Sequence, residues 1–287
     1  MMESRNQLVL DMGNPDVLKY LKETFTETFK DIPIDYFKWD ANRHSSQVGS
    51  MNLPKEQQGE TAHRYMLGVY DLLDWFRRQY PNAMMETCSS GGGRYDLGMM
   101  KYGSMIWTSD NTEPHSRIKI QYGSMIAYPA ATMSCHVTEH TECEDPKKLN
   151  YRWQVAMGGA LGYELLLPKA SKTLKENIKQ QIKIYHNYED LILRGDYYSL
   201  LNPFETNYSA YYFADEGYER ILLTFLQVDA EKPKEILLKV PETEENAKYI
   251  DEFSGIEYSG KNLCDGISVM TEDSDCNSKM WAFKKII

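Results

Sequence analysis

At 287 residues, 42% apolar and 26% charged, the chain suits one large domain or one with a smaller module, and is too apolar to be mainly disordered. With 32 Lys and Arg against 42 Asp and Glu, its formal charge of −10 argues against a nucleic-acid reader, which needs a basic patch. No run approaches the roughly 18 consecutive apolar residues of a membrane span, and the start has no charged-then-apolar leader. Five scattered cysteines without a C-x-x-C pair fit a reducing cytoplasm better than a disulfide framework or a zinc ribbon. The 12% aromatic content suits carbohydrate contact and ordinary cores alike.

Asn14 followed by Pro15 is a cap and then a residue with pre-set φ. Val17, Leu18, Leu21, Phe25 and Phe29 recur at helical spacing up to Lys30. Ile34 to Asp40 reads as a strand ending in a charge. A helix is predicted from Glu60 to Tyr80, with Tyr65, Leu72, Leu73 and Phe76 inward. Ala83 to Thr87 is a short strand that runs into Cys88-Ser-Ser-Gly-Gly-Gly-Arg94. Ser104 to Thr108 is another, followed by Ser109-Asp110-Asn111-Thr112. Helices are then predicted at Pro114 to Ala127, near Tyr151 to Met157 and at Thr173 to Leu193, with strands at Thr132 to His136 and Gly162 to Leu165.

From Gly195 the texture changes to short strand-like runs at Ala210 to Phe213, Arg220 to Gln227, Glu235 to Val240 and Lys279 to Lys284, separated by Pro, Gly, Asn and Asp. The expected organisation is an α/β part over 1–194 and an antiparallel β module over 195–287. In the first part, polar clusters follow the apolar runs: Asp40-Ala-Asn42-Arg43, Cys88-Ser-Ser-Gly, Ser109-Asp110 and His136. In a parallel β/α barrel all strand carboxyl ends face one mouth, so these residues would gather there.

Asp40 and Asp110 each end a strand, and two carboxylates across a mouth suit glycoside hydrolysis. One attacks the anomeric carbon and the other protonates the leaving oxygen. Lys38, two residues before Asp40, shares its side of the strand. There its ammonium would keep Asp40 ionised and donate to a sugar hydroxyl. Asn42 offers an amide, and Trp39 or Trp107 aromatic surface. An Asp at a strand end is equally an ordinary turn or cap residue, and spacing alone leaves that open. Ser90-Gly91-Gly92-Gly93-Arg94 matches neither phosphate-loop pattern and reads better as close backbone approach to a ligand or a tight turn. His136 and His140 lie four apart without a helical context for a metal. Cys88 alone reads as a small buried hydrophobe.

Several strings, taken in order, say more. They are Arg5-Asn-Gln-Leu-Val-Leu-Asp11, Tyr36-Phe-Lys-Trp-Asp-Ala-Asn-Arg-His44, Glu86-Thr-Cys-Ser-Ser-Gly-Gly-Gly-Arg-Tyr-Asp96, Ile106-Trp-Thr-Ser-Asp-Asn-Thr112, Arg117-Ile-Lys-Ile-Gln-Tyr-Gly123 and Gly159-Ala-Leu-Gly-Tyr-Glu164. Together they closely resemble the microbial α-galactosidases of glycoside hydrolase family 36. The resemblance implies that Asp40 is the nucleophile and Asp110 the general acid/base of a retaining double displacement, with no metal or cofactor. It also implies that Arg5, Lys38, Asn42, Cys88 and Gly91 line the galactose pocket. α-Galactoside oligosaccharides would be the substrates, and α-N-acetylgalactosaminidase is the alternative specificity. Ala41 and the stretch Thr138-Glu-His-Thr-Glu-Cys143 depart from the family's wording.

The family's chains are more than twice this length. The resemblance therefore implies about strands 4–8 of a (β/α)8 barrel followed by a small antiparallel β-sandwich. The first three barrel strands, with their hydroxyl-gripping acidic pair, have no counterpart. The first expectation is a broken or incomplete gene product that is inactive alone, the second a split enzyme completed by a chain supplying the missing N-terminal half, with a non-catalytic or galactoside-binding remnant as the alternative. A homo-oligomer is left open.

Overall fold

In the computed structural model, which describes residues 6–44 and 48–287, the Asn14 side chain accepts the amide of Asp16 at 3.0 Å and Pro15 opens the first helix, α1 (Pro15–Phe29). A cap of this kind contributes about 1 kcal/mol. The helix leads into strand β1 (Tyr36–Asp40), helix α2 (Thr61–Gln79), strand β2 (Met84–Cys88), the single turn α3 (Leu97–Met100) and strand β3 (Met105–Trp107). The strands are parallel. Lys38 lies opposite Glu86, Asp40 opposite Cys88, and Glu86 opposite Met105.

Alternation along β1 sorts its side chains between two faces. Phe37 and Trp39 pack toward the helices, with Phe37 4.4 Å from the Phe76 ring and Trp39 edge-on to Phe25 at 6.1 Å. They join a core built on Val69, Leu72, Leu73 and Phe76 of α2 and Met85 of β2. Tyr36, Lys38 and Asp40 take the other face and are exposed there. Gly68 of α2 sits against the Met12 carbonyl, where a Cβ would lie 1.8 Å from the oxygen. That close approach fastens the segment before α1 to α2.

By compactness the chain divides after Asp110, into 1–110 and 111–287. The second unit holds helix α4 (Pro114–Ala127), strand β4 (Met133–Val137), the turn α5 (His140–Cys143), helix α6 (Pro146–Ala156), strand β5 (Ala160–Tyr163) and helix α7 (Lys172–Arg194). β4 and β5 are parallel, with Ser134 opposite Ala160 and Val137 opposite Tyr163. Helix α6 starts earlier than its apolar periodicity predicts. Asp145 caps it, accepting the Lys147 amide at 2.8 Å, and Pro146 opens it, a repeat of the Asn14–Pro15 signature.

After α7 come strands β6 (Asp196–Leu201), β7 (Tyr208–Ala214), β8 (Arg220–Gln227), β9 (Glu235–Leu238), β10 (Lys248–Asp251) and β11 (Glu257–Ser259), the short helix α8 (Gly260–Asp265), and strands β12 (Ile267–Met270) and β13 (Ser278–Lys285). Six form an antiparallel sheet in the order β11-β10-β13-β8-β7-β6, while β9 pairs with β12. Their shared core includes Tyr212, Leu223, Phe225, Tyr249, Leu263, Trp281 and Phe283. Helix α6 is tied to this β region by the Tyr151 hydroxyl, which donates to the Gln227 carbonyl at 2.6 Å, and α7 by Asp190, paired with Arg220 at 2.7 Å. These ties explain why compactness groups α6 and α7 with the β module. The fold is the expected class, part of a (β/α)8 barrel followed by antiparallel β-structure. Among the described residues no helix is long and apolar enough to cross a membrane.

Candidate active site

The two aspartates lie at the carboxyl ends of β1 and of the short run after β3, both in the first unit. Asn42 connects the first of them to β2. Its Nδ2 donates to Asp40 Oδ2 at 2.7 Å, and its Oδ1 accepts the Ser90 backbone N–H at 2.7 Å. The Cys88 thiol faces the same Oδ1 at 3.9 Å. The backbone closes the join, because the Ala41 amide donates to the Cys88 carbonyl at 2.9 Å. Arg94 then clamps Ala41 from the far side of the loop, donating to its carbonyl at 2.5 Å and to Ser89 Oγ at 2.8 Å.

The loop after β2 also reaches Asp110. Ser90 and Gly91 have left-handed φ of 51° and 80°. This turns the chain so that a Cβ on Gly91 would stand 2.7 Å from Ser109 Cα and 3.0 Å from Asp110 N. Only glycine accepts both the φ and the approach. Gly92 donates to the Thr108 carbonyl at 3.1 Å, which secures the same contact. The Asp110 carboxylate is held by the Trp107 indole, whose Nε1–H donates to Oδ1 at 3.1 Å. Cys88 through Gly92 thus forms a bridge with Asp40 attached at one end and Asp110 at the other.

Lys38 shares the Asp40 face, as alternation requires, but its ammonium pairs with Glu86 Oε1 at 3.0 Å and lies 4.6 Å from the centroid of the Trp107 ring. The carboxylate it pairs with at that distance is Glu86, directly opposite it on the neighbouring strand. Trp39 lies on the opposite face, in the helix-side core. A strand alternates, so a side chain adjacent to both Lys38 and Asp40 cannot share their face. Trp39, Asp40 and Asn42 do border one cavity of about 290 Å³, with Arg43, Leu8, Leu10 and Phe25, but Asp110, Lys38 and Trp107 do not line it. Arg5 lies outside the described residues. Cys88 is 7% exposed. Burial, joined by the neighbouring Asp40 charge and opposed in part by a Gly91 backbone hydrogen bond, pushes its thiol up to about 11. The thiol is therefore neutral at physiological pH.

Glu86 was not singled out by the sequence reasoning. The available signal was a carboxylate inside the run Met84-Met85-Glu86-Thr87-Cys88, two residues before Cys88 and so on its face.

Residues 1–195 match the family model described as Melibiase. The chain belongs to the melibiase family. This family member is 40% identical to the α-galactosidase AgaA of Geobacillus stearothermophilus over 99% of its own length and 39% of the relative's. It is 35% identical to the α-galactosidase Mel36A of Lactobacillus acidophilus, over 99% of its length and 39% of that protein. Its structure superposes on an AgaA variant solved with raffinose with a TM-score of 0.91, at 38% identity, covering 99% of this chain and 40% of that one. The α-galactosidase of Lactobacillus brevis gives 0.92 at 32% identity, covering 100% and 40%. These solved relatives from Geobacillus are described as members of glycoside hydrolase family 36, the family the motifs resemble. The melibiase-family chain spans about two fifths of the length of these relatives.

Proposed function

We propose that this chain is the catalytic-centre portion of a retaining α-galactosidase that releases terminal α-galactosyl residues from oligosaccharides. Asp40 is the nucleophile. Its attack on the anomeric carbon gives a β-galactosyl ester while Asp110 donates a proton to the departing oxygen; Asp110 then takes a proton from the water that cleaves the ester. Asn42 fixes the Asp40 carboxylate by donating to one oxygen, which leaves the other for attack. The Trp107 indole orients Asp110 in the same way. Lys38, Cys88 and Gly91 serve as pocket walls, and Arg5 is carried with them as a galactose contact.

The observation that carries this reading is the Cys88–Gly92 bridge, which gathers two strand-end carboxylates through one loop. The relatives add support. In the AgaA structures solved with raffinose and with stachyose, one aspartate is substituted in each, and the two are separated in sequence by the same interval as Asp40 and Asp110. The substrate class follows those two oligosaccharides.

The barrel portion is taken as 1–194 and the β module as 195–287. Support comes from α7 ending at Arg194, the family match stopping at 195 and the strands turning antiparallel thereafter. Five free cysteines, three of them buried, support a reducing compartment such as the cytoplasm.

The remaining three fifths of the relatives' length bears on activity, because positioned groups around the sugar supply much of the rate. The 287 residues alone should hydrolyse p-nitrophenyl α-galactoside weakly or not at all. Supplying the N-terminal portion of AgaA in trans should restore turnover, and the same mixture with Asp40→Ala should stay inactive. Turnover that survives Asp40→Ala would overturn the assignment.

A further inference from the structure

Glu86 is 1% exposed, a carboxylate almost withdrawn from water in the middle of β2. Such a group is costly unless paired, and well-packed apolar residues often replace buried ion pairs without loss. Its partners indicate what it does. Glu86 Oε2 accepts the Tyr36 hydroxyl, and Oε1 pairs with Lys38 at 3.0 Å, an ion pair short of an aligned hydrogen bond. Tyr36 and Lys38 are successive same-face residues of β1, and the register sets Lys38 directly opposite Glu86. Both carboxylate oxygens are therefore engaged from the neighbouring strand, and the carboxylate cannot rotate freely.

The ammonium it holds lies over the Trp107 ring, 4.6 Å from the centroid. The Lys38 side chain keeps 37% of its surface exposed. A lysine has many rotamers and loses considerable entropy when confined to one. Here the confinement comes from one buried anion below and an aromatic face beside it. A cation over an indole draws electron density from the ring and makes its N–H a stronger donor. That N–H is the one bonded to Asp110 Oδ1 at 3.1 Å.

We propose that Glu86 is a positioning residue that holds Lys38 over Trp107 and, through the indole N–H, fixes the orientation of the Asp110 carboxylate. Its bearing on catalysis rests on Asp110 being the acid/base, while the geometry stands apart from turnover.

The test reads proton resonances of the 287-residue chain without substrate, assigned with Lys38→Arg and Trp107→Phe. In the wild-type chain the Lys38 ε-methylene should lie upfield of free lysine, shifted by the Trp107 ring current. The Trp107 indole N–H should lie downfield because of its bond to Asp110. Glu86→Gln should return the lysine signal to the free position and move the indole signal upfield, while methyl signals of Leu72 and Leu73 in the helix-side core stay in place. Tyr36→Phe, at a residue already 47% exposed, should move both signals part of the way and decides the matter where Glu86→Gln fails to fold. Lysine and indole signals that hold still in a folded Glu86→Gln variant, or a wild-type lysine already at the free position, would overturn the proposal and leave the galactosidase reading standing. Shifts as expected in a chain whose complemented form never turns over would do the reverse.

Discussion

Asn42 donates to Asp40 and accepts from Ser90 with the two ends of one amide, each bond 2.7 Å long. A side chain that joins a carboxylate to the next strand's loop cannot be replaced by an isostere lacking either function. Asn42→Asp puts a second anion against Asp40 and has no donor to offer it. The variant should melt lower by the worth of one to two hydrogen bonds, about 1–3 kcal/mol, read by urea denaturation. Asn42→Ala melting like wild type would show that the amide is idle.

Gly91 and Gly217 make a matched pair, because both have positive φ, 80° and 86°. A Cβ at Gly217 would meet nothing within 4 Å, whereas at Gly91 it would meet Ser109 backbone at 2.7 Å. Gly217→Ala should cost about 1 kcal/mol, the left-handed penalty alone. Gly91→Ala should cost clearly more, since backbone must move. Equal losses in paired denaturation curves would show that the loop yields freely.

The acid role proposed for Asp110 has a graded consequence. In the complemented enzyme, Asp110→Ala should slow p-nitrophenyl galactoside, whose phenolate leaves without help, far less than raffinose, whose leaving alkoxide needs a proton. Steady-state rates on the two substrates check this. Equal losses on both would remove Asp110 from the acid role.

Glu113 caps α4, accepting the His115 amide at 3.1 Å and the Ser116 amide at 2.7 Å. Burial works against its charge, but these bonds and the His115 side chain outweigh it and lower the carboxyl to about 2. A folded value below the unfolded one, near 4.3, gives stability that is present above about pH 4.5 and lost as pH falls toward 2. The gap in melting temperature between wild type and Glu113→Gln should therefore narrow on acidification. A gap independent of pH from 6 to 3 would contradict the cap.

Much of this was legible in the sequence, and the reason differs by element. Helix α4 and strand β8 match their predicted limits because Pro114 and the apolar run Ile221–Leu226, interrupted by Thr224 alone, mark them sharply. β6, β10, β11 and β12 were not predicted. β10, β11 and β12 are short, and Lys248, Asp251, Glu257 and Ser268 interrupt their apolar patterns; in β6 Asp196 and Ser199 do so. Among the candidate site residues, Asp40, Asn42 and Asp110 could be named because strand-end polar clusters stand out against apolar runs, whereas Cys88 and Gly91 entered through the family resemblance. Trp39 could not be assigned to its face by residue type, although alternation from Lys38 places it. Glu86 was hidden for a different reason. A single carboxylate within a strand shows its importance only when the register supplies Lys38 across from it.

Gly91 resting on Ser109 also bears on motion. With Ser109 Cα and the Asp110 amide against its own backbone, the segment that carries Asp110 cannot swing outward alone; Ser90, Gly91 and Gly92 must travel with it, and Asn42 pulls on them from the other side. Opening of this end of the sheet then cannot proceed by a private hinge at Asp110. Any breathing of this mouth is concerted across both carboxylates, so a mutation that loosens one should broaden the conformational spread of the other.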